Sequence, residues 1–132
     1  SKTFLSCKLN WEKRQEGKHK VIWSWYQHLI QLRNTIPALV KKERDSIEAG
    51  ADEQHKIVWW RRWSNDNQIL CLINFNQNDS SFKPEITGSN WKKILDSAEE
   101  KWQGSGISAP EKLCTGAEIK LRSHNFVLYK NN

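Results

Sequence analysis

Three neighbouring carboxylate pairs, Glu43/Asp45, Asp52/Glu53 and Glu99/Glu100, are the first residues of this chain that could do chemistry. Two carboxyl groups placed across a glycosidic bond can cleave it, one as acid and the other as base or nucleophile. That work needs one of the pair in apolar surroundings, where its proton is held near neutral pH. All three pairs lie in polar stretches, so each is expected to be ordinary surface charge. The four histidines (His19, His28, His55 and His124) are isolated, with no nucleophile close in sequence and no His-x-x-x-His spacing. Cys7, Cys71 and Cys114 form no Cys-x-x-Cys pair, and no histidine sits near enough to one of them to suggest a zinc site. Gly104-Ser105-Gly106 neither follows a predicted strand nor opens a helix, which removes a phosphate-cradling role. No catalytic constellation assembles, and neither a cofactor nor a metal is implied.

Binding is the next possibility, because the chain holds eight tryptophans. Aromatic faces stack on bases, for about 1–3 kcal/mol per base, and on sugars by the same geometry. Burial competes for the same rings, since a buried tryptophan removes roughly 150–250 Å² from water. Trp25 falls on an apolar helical stripe. Of Trp59 and Trp60, neighbours on a strand, one must face a core. Trp11, Trp60 and Trp63 remain as candidates for carbohydrate stacking.

Charge narrows the partners. Lys and Arg exceed Asp and Glu by 21 − 15 = 6. The cations are scattered among acids rather than clustered, and no nucleic-acid-binding signature is visible, so no nucleic-acid partner is expected. No apolar stretch approaches the roughly 20 residues of a membrane span, so no membrane partner is expected either. The chain starts at Ser1, contains no methionine and shows no basic leader followed by an apolar run. Those features, with three widely spaced cysteines, lead us to expect a fragment of a larger cytoplasmic protein with reduced thiols.

The elements that must position these residues change character at Pro37. Before it, Ile22, Trp25, Tyr26, Leu29, Leu32 and Ile36 recur in steps of three and four, predicting one amphipathic helix over residues 19–36. Residues 1–18 read as an irregular lead-in. Pro37 lacks an amide hydrogen and disfavours helical geometry at Ile36, so the helix should stop there. Beyond it, short strands are predicted at 45–49, 55–63, 68–75, 82–85, 91–95, 113–114, 117–121 and 126–129. Turns are expected at Gly50-Ala51-Asp52, Asn65-Asp66-Asn67 and Gly88-Ser89-Asn90. Along 55–63, Ile57, Trp59, Arg61 and Trp63 face one way, and Val58, Trp60 and Arg62 the other. Ile69-Leu70-Cys71-Leu72-Ile73 is apolar on both faces, as a strand covered on both sides requires. Residues 96–112 read as a long surface loop. The sum is a mainly β chain: one amphipathic helix within residues 1–40, then an antiparallel β-sandwich over 41–132. Nothing after the helix supplies it with a helical partner.

These residues carry a resemblance. The stretch Thr3-Phe4-Leu5-Ser6-Cys7-Lys8-Leu9-Asn10-Trp11, then His28-Leu29-Ile30-Gln31-Leu32-Arg33 with Pro37-Ala38-Leu39, resembles the closing part of α-amylase-superfamily glycoside hydrolases. Trp91 to Ser97, Gly104-Ser105-Gly106 and Ser123 to Tyr129 look like their C-terminal β-domain. The leaning is toward malto-oligosyltrehalose trehalohydrolases. The resemblance implies that the helix is the last one of a (β/α)8 barrel whose catalytic carboxylates lie in earlier strands. It implies a non-catalytic domain with no catalytic residue of its own. Its partner would be the missing catalytic barrel, and a maltooligosaccharide-type substrate would reach it only through that barrel. A free-standing carbohydrate-binding module is the alternative.

Overall fold

The computed structural model describes residues 7–41, 44–86 and 90–131. Residues 3–6 of the resemblance, Glu43 of one carboxylate pair, and Gly88-Ser89 of a predicted turn lie outside the described residues.

A 3-10 turn, Trp11–Gln15, leads into helix α1, Gly17–Thr35. The Asn10 side chain caps the turn by accepting the Glu12 amide hydrogen bond at 3.1 Å. Gly17 then adopts a φ of 48°, a left-handed geometry suited to glycine, and the chain bends into the helix. From Asn10 on, the lead-in is therefore more ordered than its composition suggests, and the helix starts earlier than residue 19. It stops before Ile36, as Pro37 requires. The proline then serves as the first residue of a one-turn helix, α2, Pro37–Val40.

Strands follow in the order β1 Ile47–Asp52, β2 Ile57–Ser64, β3 Asn67–Asn74, β4 Ser80–Phe82, β5 Trp91–Asp96, β6 Lys112–Leu113, β7 Ile119–Leu121 and β8 Phe126–Asn131. Six of them form an antiparallel sheet in the order β1-β2-β3-β8-β5-β6, and β4 pairs with β7 in a small second sheet. The β2–β3 hairpin closes through Asn65, whose φ is 52°.

Gly50, expected in a turn, lies inside β1 instead. It pairs with Trp59, and the indole occupies the space a Cβ would take, 2.8 Å from where that atom would sit. Its place is set by the ring that covers it, and the turn moves to residues 53–56.

Two cores result. Between the sheets, Ile57, Leu70, Leu72, Trp91, Val127 and Tyr129 meet Ile119 and Leu121 from the small sheet. On the opposite face of the large sheet, Ile69, Cys71, Leu95 and Leu128 meet Ile36 and Ala38, with Trp25, Leu29 and Leu32 packed against them. Strand β3 is therefore covered on both faces, and Ile69, Leu70, Cys71 and Leu72 are fully buried. The order is helix, large sheet, small sheet. Burial at roughly 25 cal/mol per Å² makes both cores substantial, so the helix is fixed to the β-domain rather than hanging free.

The segment expected to be a surface loop, 96–112, gives up Asp96 to β5 and carries a 3-10 turn at Glu100–Trp102. Trp102 returns to the helix, meeting Trp25 edge-on at a centroid distance of 5.0 Å and His28 at 5.6 Å. Beneath the loop, Lys93 is buried. Its Nζ donates to the Ala109 carbonyl at 2.8 Å and pairs with Glu111 at 2.9 Å and Asp96 at 3.4 Å. The Tyr129 hydroxyl donates to the Pro110 carbonyl at 2.8 Å. Burial, then the charges of Asp96 and Glu111, push the Tyr129 hydroxyl well above the ordinary tyrosine range.

Candidate functional site

Helix α1 places its residues about 100° apart, so its apolar positions can be laid out around the axis. Trp25, Leu29 and Leu32 occupy one sector and turn onto the sheet. Ile22, Trp23, Tyr26 and Ile30 fill the adjoining sector and face outward. The six-residue stripe is thus split. Ile22 and Tyr26, expected to share one buried face with Trp25, belong to a second apolar face that the β-domain does not cover.

The 3-10 turn folds back along this second face. Trp11 and Trp23 flank Arg14, whose guanidinium lies 5.9 Å and 5.6 Å from their ring centroids. Together with Leu9, Ile22 and Tyr26 they form a groove of about 420 Å³. Lys8, Lys13 and Arg14 line it, and among the described residues no acid does. Trp11, Ile22, Trp23, Tyr26 and Ile30 each expose 45–65% of their surface. Scattered apolar residues on a surface carry no message, but a contiguous aromatic and aliphatic face marks an interaction site.

The structure separates the three tryptophans that could stack on carbohydrate. Trp11 is in this groove. Trp60 faces the helix and packs in its core. Trp63 lies on the other face of β2, with the Arg61 guanidinium 5.4 Å from its ring centroid. No two of them share a platform.

The described members of the carboxylate pairs, Asp45, Asp52, Glu53, Glu99 and Glu100, lie at or near the surface. The His55 amide donates to Asp52 at 3.0 Å and the His55 ring Nδ1 lies 2.7 Å from the same carboxylate. These two contacts hold Asp52 below the usual carboxylate range, which suits neither a general acid nor a raised base. Glu53 and Glu100 are exposed, and Glu99 pairs with Lys101 at 2.6 Å. Asp45 is exposed. Among the described residues no group of three or more His, Cys, Asp or Glu gathers as a metal site.

Comparison with known proteins places this geometry. The family described as "Alpha amylase, C-terminal all-beta domain" matches residues 48–131, from β1 through β8. A malto-oligosyltrehalose trehalohydrolase of Deinococcus radiodurans is 32% identical over 75 residues, covering 57% of this chain and 12% of the relative. The enzyme of the same name from Mycobacterium tuberculosis is 33% identical over 72 residues, covering 54% and 12%. Among solved structures, the isomaltulose synthase SmuA of Protaminobacter rubrum superposes with a TM-score of 0.64 at 21% identity, over 84% of this chain and 18% of that one. The trehalulose synthase MutB of Pseudomonas mesoacidophila MX-45 gives 0.61 at 20% identity, over 84% and 18%. The chain thus spans about an eighth of the length of the curated relatives it matches. The structural likeness covers more of the chain than the family match does, and takes in part of the segment before β1. Through residues 48–131 the chain belongs to the alpha amylase C-terminal all-beta domain family.

Proposed function

We propose that this chain is the non-catalytic closing part of an intracellular glycoside hydrolase that releases trehalose from maltooligosyl-trehalose. Residues 1–40 complete the catalytic barrel, and residues 41–132 form the β-domain that shields and stabilises it. One observation carries this reading: α1 already packs on its own sheet along Trp25, Leu29 and Leu32, yet presents a second apolar face along Ile22, Trp23, Tyr26 and Ile30. A helix serving only the β-domain has no use for that second face. A catalytic barrel of the same parent chain supplies the cover, and the two trehalohydrolase relatives support its identity. Trp11 belongs to the docking surface in this reading, not to a sugar platform. The free thiols of Cys7, Cys71 and Cys114 fit a reducing compartment.

The test is to assay trehalose release from maltooligosyl-trehalose by the 132-residue chain, by the upstream part of the parent, and by the two together. The joined protein should hold the full activity, and the upstream part alone should be less active and lose what it has on mild heating. Turnover by the 132 residues alone would reject the proposal, as would an upstream part equally heat-resistant without them.

A further inference from the structure

A second cleft opens at the seam between α1, α2 and β2. Leu29, Leu32, Leu39 and Trp60 form its walls, and Arg33 and Arg62 both line it, with a volume of about 280 Å³. No acid lines it, and neither arginine makes an ion pair among the described residues. The Arg62 Nε is buried and finds no hydrogen-bond acceptor. A buried donor left without an acceptor is costly, and none of the described residues supplies one.

The chemistry of the cleft selects the guest. Two guanidiniums offer only donors, and the leucine and indole walls offer no acceptor, so a neutral sugar, which needs both kinds, is poorly served. A carboxylate on a short apolar stem matches both halves: its oxygens accept in the fork geometry of arginine, and its methylenes lie on the walls. Low-polarity walls strengthen that attraction relative to open water.

Position then identifies the bearer. Arg33 and Leu39 also line an adjoining groove with Ile30 and Val40, at the margin of the exposed apolar face of α1. Whatever covers Ile30 reaches the mouth of the cleft. We infer that the cleft is a socket for an acidic side chain of the body preceding this domain in its parent chain, with Arg33 and Arg62 as the recognising pair. The inference rests on the docking proposed above and adds the chemistry that fixes its register. A purely apolar face specifies area, whereas a charged key fixes the angle and depth at which the body seats.

The test is calorimetric titration of the 132-residue chain with the separately expressed upstream body. Wild type, Arg33→Gln, Arg62→Gln and Tyr26→Ala are compared. Arg33 is exposed on a helix, so its variant keeps the fold even if the Arg62 variant does not. Binding by wild type that weakens about tenfold or more in both arginine variants is expected. Wild-type binding that weakens only in Tyr26→Ala would overturn the socket and leave the docking standing. No wild-type binding at all would overturn the docking, and the socket with it.

Discussion

Truncating Trp25 to alanine removes the ring that joins α1 to the large sheet and to the 97–112 loop. Trp25 meets Trp102 at 5.0 Å and Phe126 at 6.3 Å, both edge-on, and packs on the core beneath the helix. Full truncation of a buried tryptophan costs about 3–5 kcal/mol. Trp25 is only partly buried, which lowers that figure, while each aromatic pair adds about 0.5–1.5 kcal/mol beyond area. A loss of about 3 kcal/mol follows, a large share of the roughly 5–15 kcal/mol of a domain. Tyr26, the next residue along the helix, faces outward and is 59% exposed, so Tyr26→Ala should change stability by no more than about 0.5 kcal/mol. Urea unfolding followed by circular dichroism reads both. With a slope of about 1–3 kcal/mol per molar, Trp25→Ala should lower the midpoint by about 1–3 M while Tyr26→Ala leaves it in place. Should Trp25→Ala be too unstable to give a folded baseline, Trp25→Phe should retain it at a loss of roughly 1–2 kcal/mol. Equal midpoints for the two alanine variants, or a larger loss at Tyr26, would refute the division of the helix into a sealed face and an open one.

A Cβ at Gly104 would overlap the backbone of Ala98, so Gly104→Ala should destabilise by about 1–3 kcal/mol in the same urea assay and loosen the loop that holds Trp102. With a thiol reagent at about pH 8, Cys7 and Cys114 should react quickly, whereas Cys71, fully buried and pushed far above the ordinary thiol range by its burial, should react only on unfolding. Burial pulls the Asp79 carboxyl up, but the Ser123 amide and the Arg122 guanidinium, with the charges of Arg122 and Lys120, outweigh it and hold it below its ordinary 3.8. A depressed folded-state value gives stability that is present above the unfolded value and is lost as pH falls through the folded one. Asp79→Asn should therefore flatten the decline in stability below pH 3.8, measured as thermal midpoint against pH, and an unchanged acid limb would contradict that assignment.

Periodicity carried the architecture. The step of two through Ile57–Ser64 and the doubly apolar run of Ile69 to Leu72 were legible because strand side chains alternate, whatever covers them. Gly50 reads as a turn residue in the sequence, because its reason is a ring nine residues away that settles over it only once β1 and β2 pair. Trp102 carries no such signal, because nothing local announces a residue whose partner, Trp25, is brought there by the sheet.

The division of α1 into two faces was partly written in its sequence. Apolar residues at 22, 23, 25, 26, 29, 30 and 32 cover more of the circumference than one sheet can bury. The steps of three and four by themselves do not show that excess. The pairing of Arg33 with Arg62 had no signal at all, since helix and strand meet there only in the folded chain. For the same reason Trp11, Trp60 and Trp63, alike in composition, turned out to lie in three separate places.

Hydroxyl-radical footprinting of Trp23 and Tyr26, in the isolated chain and in the chain joined to the upstream part of its parent, tests the docking of α1 most directly. Both side chains should be readily oxidised in the isolated chain and protected in the joined protein, while Trp91, buried between the sheets, stays protected in both. Equal oxidation of Trp23 and Tyr26 in the two states would contradict the docking.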